Sequence, residues 1–134
     1  MKLSNPSRRV AVLALASAPL LMCGEVHSML SKHQSADVLR LTGIIRRARS
    51  ARIVGEEYLS TFPEEASEVH LLKDLRDALC LPAEGRLSEA ALAQRLNERC
   101  AADFREGHVL QVHRCWLSLT ELKLCGLVAL MHRA

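Results

Sequence analysis

The stretch Val112–Cys125, V-H-R-C-W-L-S-L-T-E-L-K-L-C, contains the strongest structural signals in the chain. Ser118, followed three residues later by Glu121, forms a capping box, in which the hydroxyl accepts a backbone N–H and the carboxylate reaches back to the cap. The residues that follow are apolar on most sides of a helix, and such a helix is buried, either centrally or against a partner. We therefore predict a last helix from Leu119 to about His132, with the rest of the chain folded around it.

Short β-prone runs precede the capping box. Residues 108–112 and 115–117 flank the pair His113-Arg114, and we interpret them as a small hairpin or an extended loop. A lone two-stranded hairpin is marginal in water, so this one must rest on helices. Gly107 stands just before it, where a helix can end in the left-handed conformation that glycine adopts freely.

Four earlier stretches have apolar residues at the three- and four-residue spacing of amphipathic helices. They cover about 35–48, 50–59, 63–80 and 89–106, and the first two are either one helix or two. Pro63 suits a helix start because it needs no N–H bond there, and Ser88 suits a cap. The predicted core faces of the last two stretches are Ala66, Val69, Leu72, Leu75, Arg76 and Leu79, then Leu92, Leu96, Cys100 and Phe104.

The composition agrees with a helical core. Nearly half the residues are hydrophobic (49%), but only 3% are aromatic, so the core must be built mainly from Leu, Ala and Val. The predicted fold class is all-α: a small bundle of four to five helices with one short β-hairpin or extended segment before the last helix.

The net charge of +3 is concentrated at the N-terminus. Residues 1–24 contain Lys2, Arg8 and Arg9 but no acidic residue, so the remainder has 15 basic residues against 15 acidic ones. A neutral body lacks the basic field of nucleic-acid-binding proteins, so no nucleic-acid partner is expected. We interpret the arginine run at 46–52, which precedes acidic residues at 56–68, as a solvated dipolar surface; a patch for an anionic partner is the alternative.

Residues 1–23 have the parts of an export signal: a polar start with Lys2, the pair Arg8-Arg9, and an uncharged run from Val10 to Cys23. That run of 14 residues is too short to span a bilayer comfortably. Ser-Arg-Arg resembles the twin-arginine export signal. We predict an export signal at 1–23, a single helical domain at 24–134, and a location in the periplasm or at the periplasmic face of the inner membrane. The alternative is a cytosolic protein with a buried N-terminal helix.

Two motifs carry a resemblance to a group of small bacterial proteins with twin-arginine signals. Residues 55–65, G-E-E-Y-L-S-T-F-P-E-E, resemble the group's G-x-x-Y-L-x-x-x-P-E-E, and residues 112–121 resemble its V-D-G-W-x-L-S-x-T-E, followed by an apolar helix with a Cys. These proteins are helical and largely uncharacterised, and in outline they are similar to the small non-catalytic subunits of membrane-bound flavoprotein sugar and alcohol dehydrogenases. This chain has His113-Arg114-Cys115 where the group has Asp-Gly-Trp, and its Trp stands one place later, at Trp116. It therefore lacks the Gly that favours a tight two-residue turn.

Four cysteines lie after the leader: Cys80, Cys100, Cys115 and Cys125. They allow three pairings, between which the sequence does not choose. If the chain is exported, at least one disulfide among them is expected. The alternatives are small buried hydrophobic residues with inert thiols, and a cysteine left free to pair with a partner subunit.

No catalytic, cofactor or metal site is predicted. A metal site from Cys100, His108, His113 and Cys115 can be imagined, but the spacing matches no zinc pattern. A Cys–His nucleophile would also need an orienting third group, and none is indicated. We interpret Tyr58 and Trp116 as core anchors. The alternative for Trp116 is an interface hot spot.

Contact with a partner therefore becomes the leading functional hypothesis. In this hypothesis, the protein is an exported non-catalytic accessory or small subunit that binds, and helps to export, a periplasmic oxidoreductase. The candidate interface consists of Trp116, Leu119, Leu127 and Leu130. Membrane contact through an uncleaved leader stays open. The other hypotheses are a small thiol-active periplasmic protein and a cytosolic helical interaction protein.

Overall fold

The structure, a computed structural model, describes residues 36–82 and 87–133. These residues form five helices and one two-stranded antiparallel hairpin before the last helix, which confirms the predicted fold class. The predicted leader, residues 1–23 with Arg8 and Arg9, lies outside the described residues. The elements in chain order are α1 (helical at residues 36–43), α2 (Ala48–Thr61), a 3-10 turn (Pro63–Glu65), α3 (Glu68–Ala78), α4 (Glu89–Glu106), β1 (Val109–Val112), β2 (Cys115–Ser118) and α5 (Leu119–Arg133).

Helix α5 is the centre of the bundle. It contacts α2, α3, α4 and β2, so its apolar sides are covered by the chain itself, and the central placement is the one that the structure adopts. Its capping box forms as predicted: Ser118 Oγ accepts from the Glu121 backbone N–H at 3.0 Å, and Glu121 Oε2 accepts from the Ser118 N–H at 2.9 Å. The buried residues of α5 are Thr120, Leu122, Leu124, Gly126, Leu127, Val128 and Ala129.

Helices α2 and α5 cross at two glycines. A Cβ on Gly55 would lie 2.0 Å from the carbonyl oxygen of Cys125 and 2.9 Å from the nitrogen of Gly126, so α2 packs directly on the backbone of α5 there. A Cβ on Gly126 would meet only side chains, at 3.2 to 3.4 Å. The absence of a side chain at position 55 is therefore what lets the two helices approach so closely.

Helices α2 and α3 each begin after a break in the helical backbone. Residues 44–47 are not helical, so α1 and α2 are separate helices. Pro63 opens only a short 3-10 turn, and α3 begins at Glu68 instead, because Ser67 caps it by accepting from the His70 N–H at 3.4 Å.

Three residues of the predicted core faces are on the surface: Ala66, which lies before the start of α3, Val69 and Phe104. Val69 is 60% exposed because the buried face of α3 is centred on Leu71, Leu72 and Leu75, and Val69 lies on its flank. Phe104 is also exposed. A strict step of four residues rotates by about 40° each time along a helix, so the stripe that begins at a buried residue leaves the core before it reaches position 104.

The hairpin closes with a two-residue turn despite the missing glycine. Val112 pairs with Cys115, and the two residues between them, His113 and Arg114, both adopt left-handed conformations with φ of 48° and 65°. This is the pattern of a turn that favours Asn-Gly or Asp-Gly. A side chain with a Cβ costs about 1–2 kcal/mol in that conformation, so the tertiary packing of the hairpin compensates for a strained turn.

Replacing Arg114 with glycine is expected to stabilise the protein by about 0.5–1 kcal/mol, because the relief of left-handed strain exceeds the entropy that a glycine adds to the unfolded chain. Arg114 is exposed and accepts this change without loss of packing. Urea unfolding of the two proteins measures the difference. Arg114→Ala is the control, and it leaves the strain in place; equal stability of the Gly and Ala variants would contradict the strain.

Candidate functional site

The stretch Val112–Cys125 is a structural junction between α4, the hairpin and α5. Asp103, near the end of α4, is only 3% exposed and is the group on which the junction converges. Its Oδ2 accepts from the Thr120 backbone N–H at 3.0 Å and from the Thr120 hydroxyl at 2.6 Å. Its Oδ1 accepts from the Arg99 guanidinium at 2.7 and 3.0 Å. Each oxygen of this buried carboxylate is thus hydrogen-bonded twice.

The junction satisfies the first three N–H groups of α5, which a helix leaves without intrahelical partners. The Leu119 N–H donates to the His108 carbonyl at 2.9 Å, the Thr120 N–H to Asp103, and the Glu121 N–H to Ser118. A carboxylate at this helix end also interacts favourably with the helix dipole. Asp103 and Ser118 therefore cap α5 together, one from another helix and one from the chain just before it.

Sequence reasoning missed Asp103, although a signal was present. Eleven residues are close to three whole helical turns, so position 103 lies nearly in line with Leu92, the buried apolar residue of α4. Following that spacing instead of steps of four would have placed an acidic side chain in the core. An acidic residue there needs donors, and Arg99 stands one turn earlier.

A second polar cluster joins α2, the 3-10 turn, α3 and α5. Tyr58, which is completely buried, donates its hydroxyl to Glu65. The Lys123 ammonium donates to Asp74 and lies 3.9 Å from Glu65. Burial, with the hydrogen bond to Glu65, raises the pKa of Tyr58 and keeps it protonated as a donor. The expectation that Tyr58 anchors the core is confirmed.

Trp116 occupies a different environment from the one expected of a core anchor. It is 45% exposed, on the face of the hairpin opposite to that of the buried Leu110 and Val112. The core-anchor interpretation is wrong because side chains alternate along a strand, and in this register Leu110 and Val112 already fill the core side. The hairpin is fixed at its tip, where His113 Nε2 lies 2.6 Å from Glu57 Oε2 of α2.

The four candidate interface residues do not form one surface. Leu127 is 0% exposed and belongs to the core, because α5 is covered by the chain's own helices. Leu119 and Leu130 are half-buried against that core. Trp116 is the one member that offers a large exposed apolar surface.

The cysteines Cys80, Cys100, Cys115 and Cys125 are all free thiols in the structure. Cys80 and Cys115 are exposed, while Cys100 and Cys125 are partly covered. Burial raises the pKa of the Cys100 thiol, and it raises the pKa of the Cys125 thiol to about 11. The predicted disulfide has no counterpart among these four residues, and the two covered thiols are the less reactive ones.

Alkylation of the folded protein is expected to separate these thiols. Cys80 and Cys115 react rapidly at neutral pH, and Cys100 and Cys125 react only after denaturation, because a covered thiol with a raised pKa forms little of the reactive thiolate. Peptide mapping by mass spectrometry assigns each site and distinguishes Cys23. Rapid native labelling of Cys125 would contradict the structure.

Since the pKa of Cys125 is higher in the folded protein than the ordinary value of 9.0, the free energy of unfolding should fall as the pH rises from about 9 to 11.

One group of side chains has the composition of a metal site. Asp103, Glu106 and His108 bring three ligand atoms within 4.8 Å of one another. The Arg99 guanidinium already binds Asp103 and lies 2.8 Å from Glu106, so a cation would have to displace a positive charge from the same oxygens. The hydrogen bonds to these carboxylates raise the pKa of Arg99 and keep it charged. We interpret the group as an ion-pair network.

Comparisons of the chain with protein-family models, curated proteins and solved structures gave no match. Among the described residues, no helix is both long enough and apolar enough to cross a bilayer. Across the same residues, every buried side-chain nitrogen and oxygen has a hydrogen-bond partner. The buried polar groups thus stabilise the fold, and the exposed Trp116 is the candidate functional feature.

Proposed function

We propose that this protein is an exported, non-catalytic accessory or small subunit that binds a periplasmic oxidoreductase and accompanies it across the membrane. The observation that carries the binding role is the exposure of Trp116, the single Trp of the chain. Tryptophan is enriched among the residues that dominate protein interfaces because it buries a large area with little loss of side-chain entropy. The twin-arginine-like leader and the similarity to dehydrogenase small subunits support the export and the partner class.

The rigidity of the hairpin supports Trp116 as an anchor. Strand β2 leads directly into the capped start of α5, and the hairpin tip contacts α2 through His113 and Glu57. The indole is therefore presented on a backbone fixed at both ends. A preorganised side chain pays a smaller entropic cost on binding than one on a free loop.

Native purification from the host with an affinity tag tests the proposal. The expected result is a stoichiometric complex with an oxidoreductase subunit, and Trp116→Ala should weaken this complex by tenfold or more, because a hot-spot residue contributes about 2 kcal/mol or more. Val69→Ala, which truncates an exposed apolar residue on α3, is the matched control and should leave the complex intact. A protein that purifies alone and monomeric would overturn the proposal.

The single Trp also gives a direct optical test. Its fluorescence should shift to the blue when the purified partner is added, because binding removes the indole from water. A complex that forms without any change of Trp116 fluorescence would place the interface elsewhere on the molecule. Such a result would contradict the role of Trp116 and retain the accessory function.

A thiol-active protein is the second candidate, and the exposure of Cys115 beside Trp116 favours it. Cys100 and Cys125 are less suitable, since burial raises the pKa of both thiols. A thiol titration against pH separates the two candidates. A Cys115 that titrates well below the ordinary thiol range would support redox or nucleophilic activity, and an ordinary value would support the accessory function.

A further inference from the structure

Five exposed arginines lie near one end of the bundle, and we define them as the basic surface: Arg46, Arg47, Arg49, Arg52 and Arg133. Helices α2 and α5 are antiparallel there. Gly55 packs on Cys125 and Gly126, and further toward the start of α2, Arg49 and Arg52 share a shallow cleft with His132 of α5. The fold thus brings the first residues of α2 to the end of α5.

The fold also directs several of the following acidic residues to other partners. Glu57 is paired with His113, and Glu65 is bonded to Tyr58. Glu56 is the one acidic residue in the cleft, and its 3.0 Å contact with Arg52 balances one charge. Among the described residues, the other four arginines of the basic surface form no ion pair. The start of α2 thereby carries a local excess of positive charge.

The start of α2 has no acidic side chain to offset this positive charge. The cap residue, Arg47, makes no side-chain hydrogen bond to the helix end, and no acidic side chain occupies the first turn. The C-terminal end of α5 lies beside it with the opposite dipole, so the excess of positive charge comes from the arginine side chains. Ile53, which is 52% exposed, lines the same cleft as Arg49 and Arg52. Guanidinium groups on long apolar stems around an exposed aliphatic residue suit a phospholipid surface, where charge meets headgroups and carbon meets acyl chains.

The sequence before the described region connects this surface to an apolar segment. The uncharged run Val10–Cys23 is followed by the 12 residues 24–35 before α1. Twelve residues span at most about 40 Å, and Arg46 follows only three residues after the helical residues of α1. A leader in contact with a bilayer would hold the basic surface close to the lipid headgroups and raise its effective concentration there.

We propose that the basic surface docks this protein onto a membrane that contains anionic phospholipid. The proposal is independent of the oxidoreductase partner. It gives the leader and the basic surface a common role: the leader approaches the bilayer, and the arginines orient the folded domain on it.

Co-flotation with vesicles tests the proposal on the full chain. The protein is mixed with vesicles of phosphatidylcholine alone and with vesicles that also contain phosphatidylglycerol. The expected result is a preference for the anionic vesicles that weakens with salt, because exposed charges are screened. The variant Arg46→Gln/Arg47→Gln/Arg49→Gln should bind them on the order of a hundredfold more weakly, since each arginine contributes about fivefold at an anionic surface.

The control variant, Lys73→Gln/Arg105→Gln/Arg114→Gln, removes the same net charge from exposed residues elsewhere and should keep the preference. Binding through the leader alone, whose Lys2, Arg8 and Arg9 also favour anionic lipid, would be equally strong in both variants, and would overturn the proposal. Binding to polyglutamate is measured in parallel. If the first variant loses this binding and the unmodified protein shows no lipid preference, the surface binds an acidic protein, and the membrane proposal is overturned. Co-purification with the oxidoreductase is measured separately, so the two proposals fail independently.

Discussion

Replacing Gly55 with alanine is expected to destabilise the protein by about 3 kcal/mol or more, which is enough to unfold a marginally stable domain. The added Cβ would lie 2.0 Å from the Cys125 carbonyl oxygen and 2.4 Å from its carbonyl carbon. These are backbone atoms in the middle of α5, so no side-chain rotation relieves the overlap. Helices α2 and α5 would have to separate, and Tyr58 and Leu59, which are buried at this crossing, would lose packing.

Two other glycines provide matched controls for Gly55→Ala. Gly126→Ala meets only the side chains of Leu71, Tyr58 and Leu59, so we expect a smaller loss of about 1 kcal/mol. Gly43→Ala has nothing within 4 Å and lies in the helical part of α1, so it should be neutral or slightly stabilising. Urea unfolding followed by circular dichroism measures all three. Equal stabilities of the Gly55 and Gly43 variants would show that α2 and α5 do not pack as closely as the structure has them.

Replacing Asp103 with alanine is expected to cost about 3 kcal/mol. The change removes the Oδ2 atom that accepts both hydrogen bonds from Thr120, a buried residue whose N–H and hydroxyl would then lack partners. It also removes the main partner of Arg99. Because the side chain of Arg99 is 27% exposed and reaches water, its loss of a partner should cost less than that of a fully buried ion.

Two further variants separate the contributions to this loss. Glu106→Gln removes the exposed partner of the same Arg99 and should change stability by less than about 0.5 kcal/mol. Asp103→Asn keeps an acceptor for Thr120 but loses the charge, and its stability should lie between those of the other two. Thermal or urea unfolding ranks the series. A loss for Glu106→Gln as large as that for Asp103→Ala would place the energy in the surface ion pair rather than in the cap of α5.

Four of the six fixed positions of the motif at residues 55–65 have a structural explanation. Gly55 allows the crossing with α5, Tyr58 fills the core at that crossing, and Pro63 begins the 3-10 turn that contains Glu65. Glu65 then accepts the Tyr58 hydroxyl. Packing therefore accounts for these four positions. These positions leave Trp116 on the hairpin as the proposed partner contact.

Local sequence signals determined the helix ends that are capped by residues adjacent in the sequence. Helix α4 runs from Glu89 to Glu106, as predicted from the cap at Ser88 and from Gly107. Helix α5 starts at its capping box for the same reason. Caps act within one turn of the backbone, so the residues that specify them are adjacent in the sequence. The hairpin and the all-α fold class followed from the same local patterns.

Contacts between distant residues were decided by the tertiary structure. The sequence did not reveal that Asp103 caps a helix that starts 16 positions later, that Trp116 faces solvent, or that the arginines of α2 gather beside the end of α5 while Glu57 and Glu65 bind elsewhere. Each depends on which faces of two elements meet, and many sequence positions satisfy the same local pattern. Burial selects among them, because a carboxylate enters the core only where donors from another element are already in place.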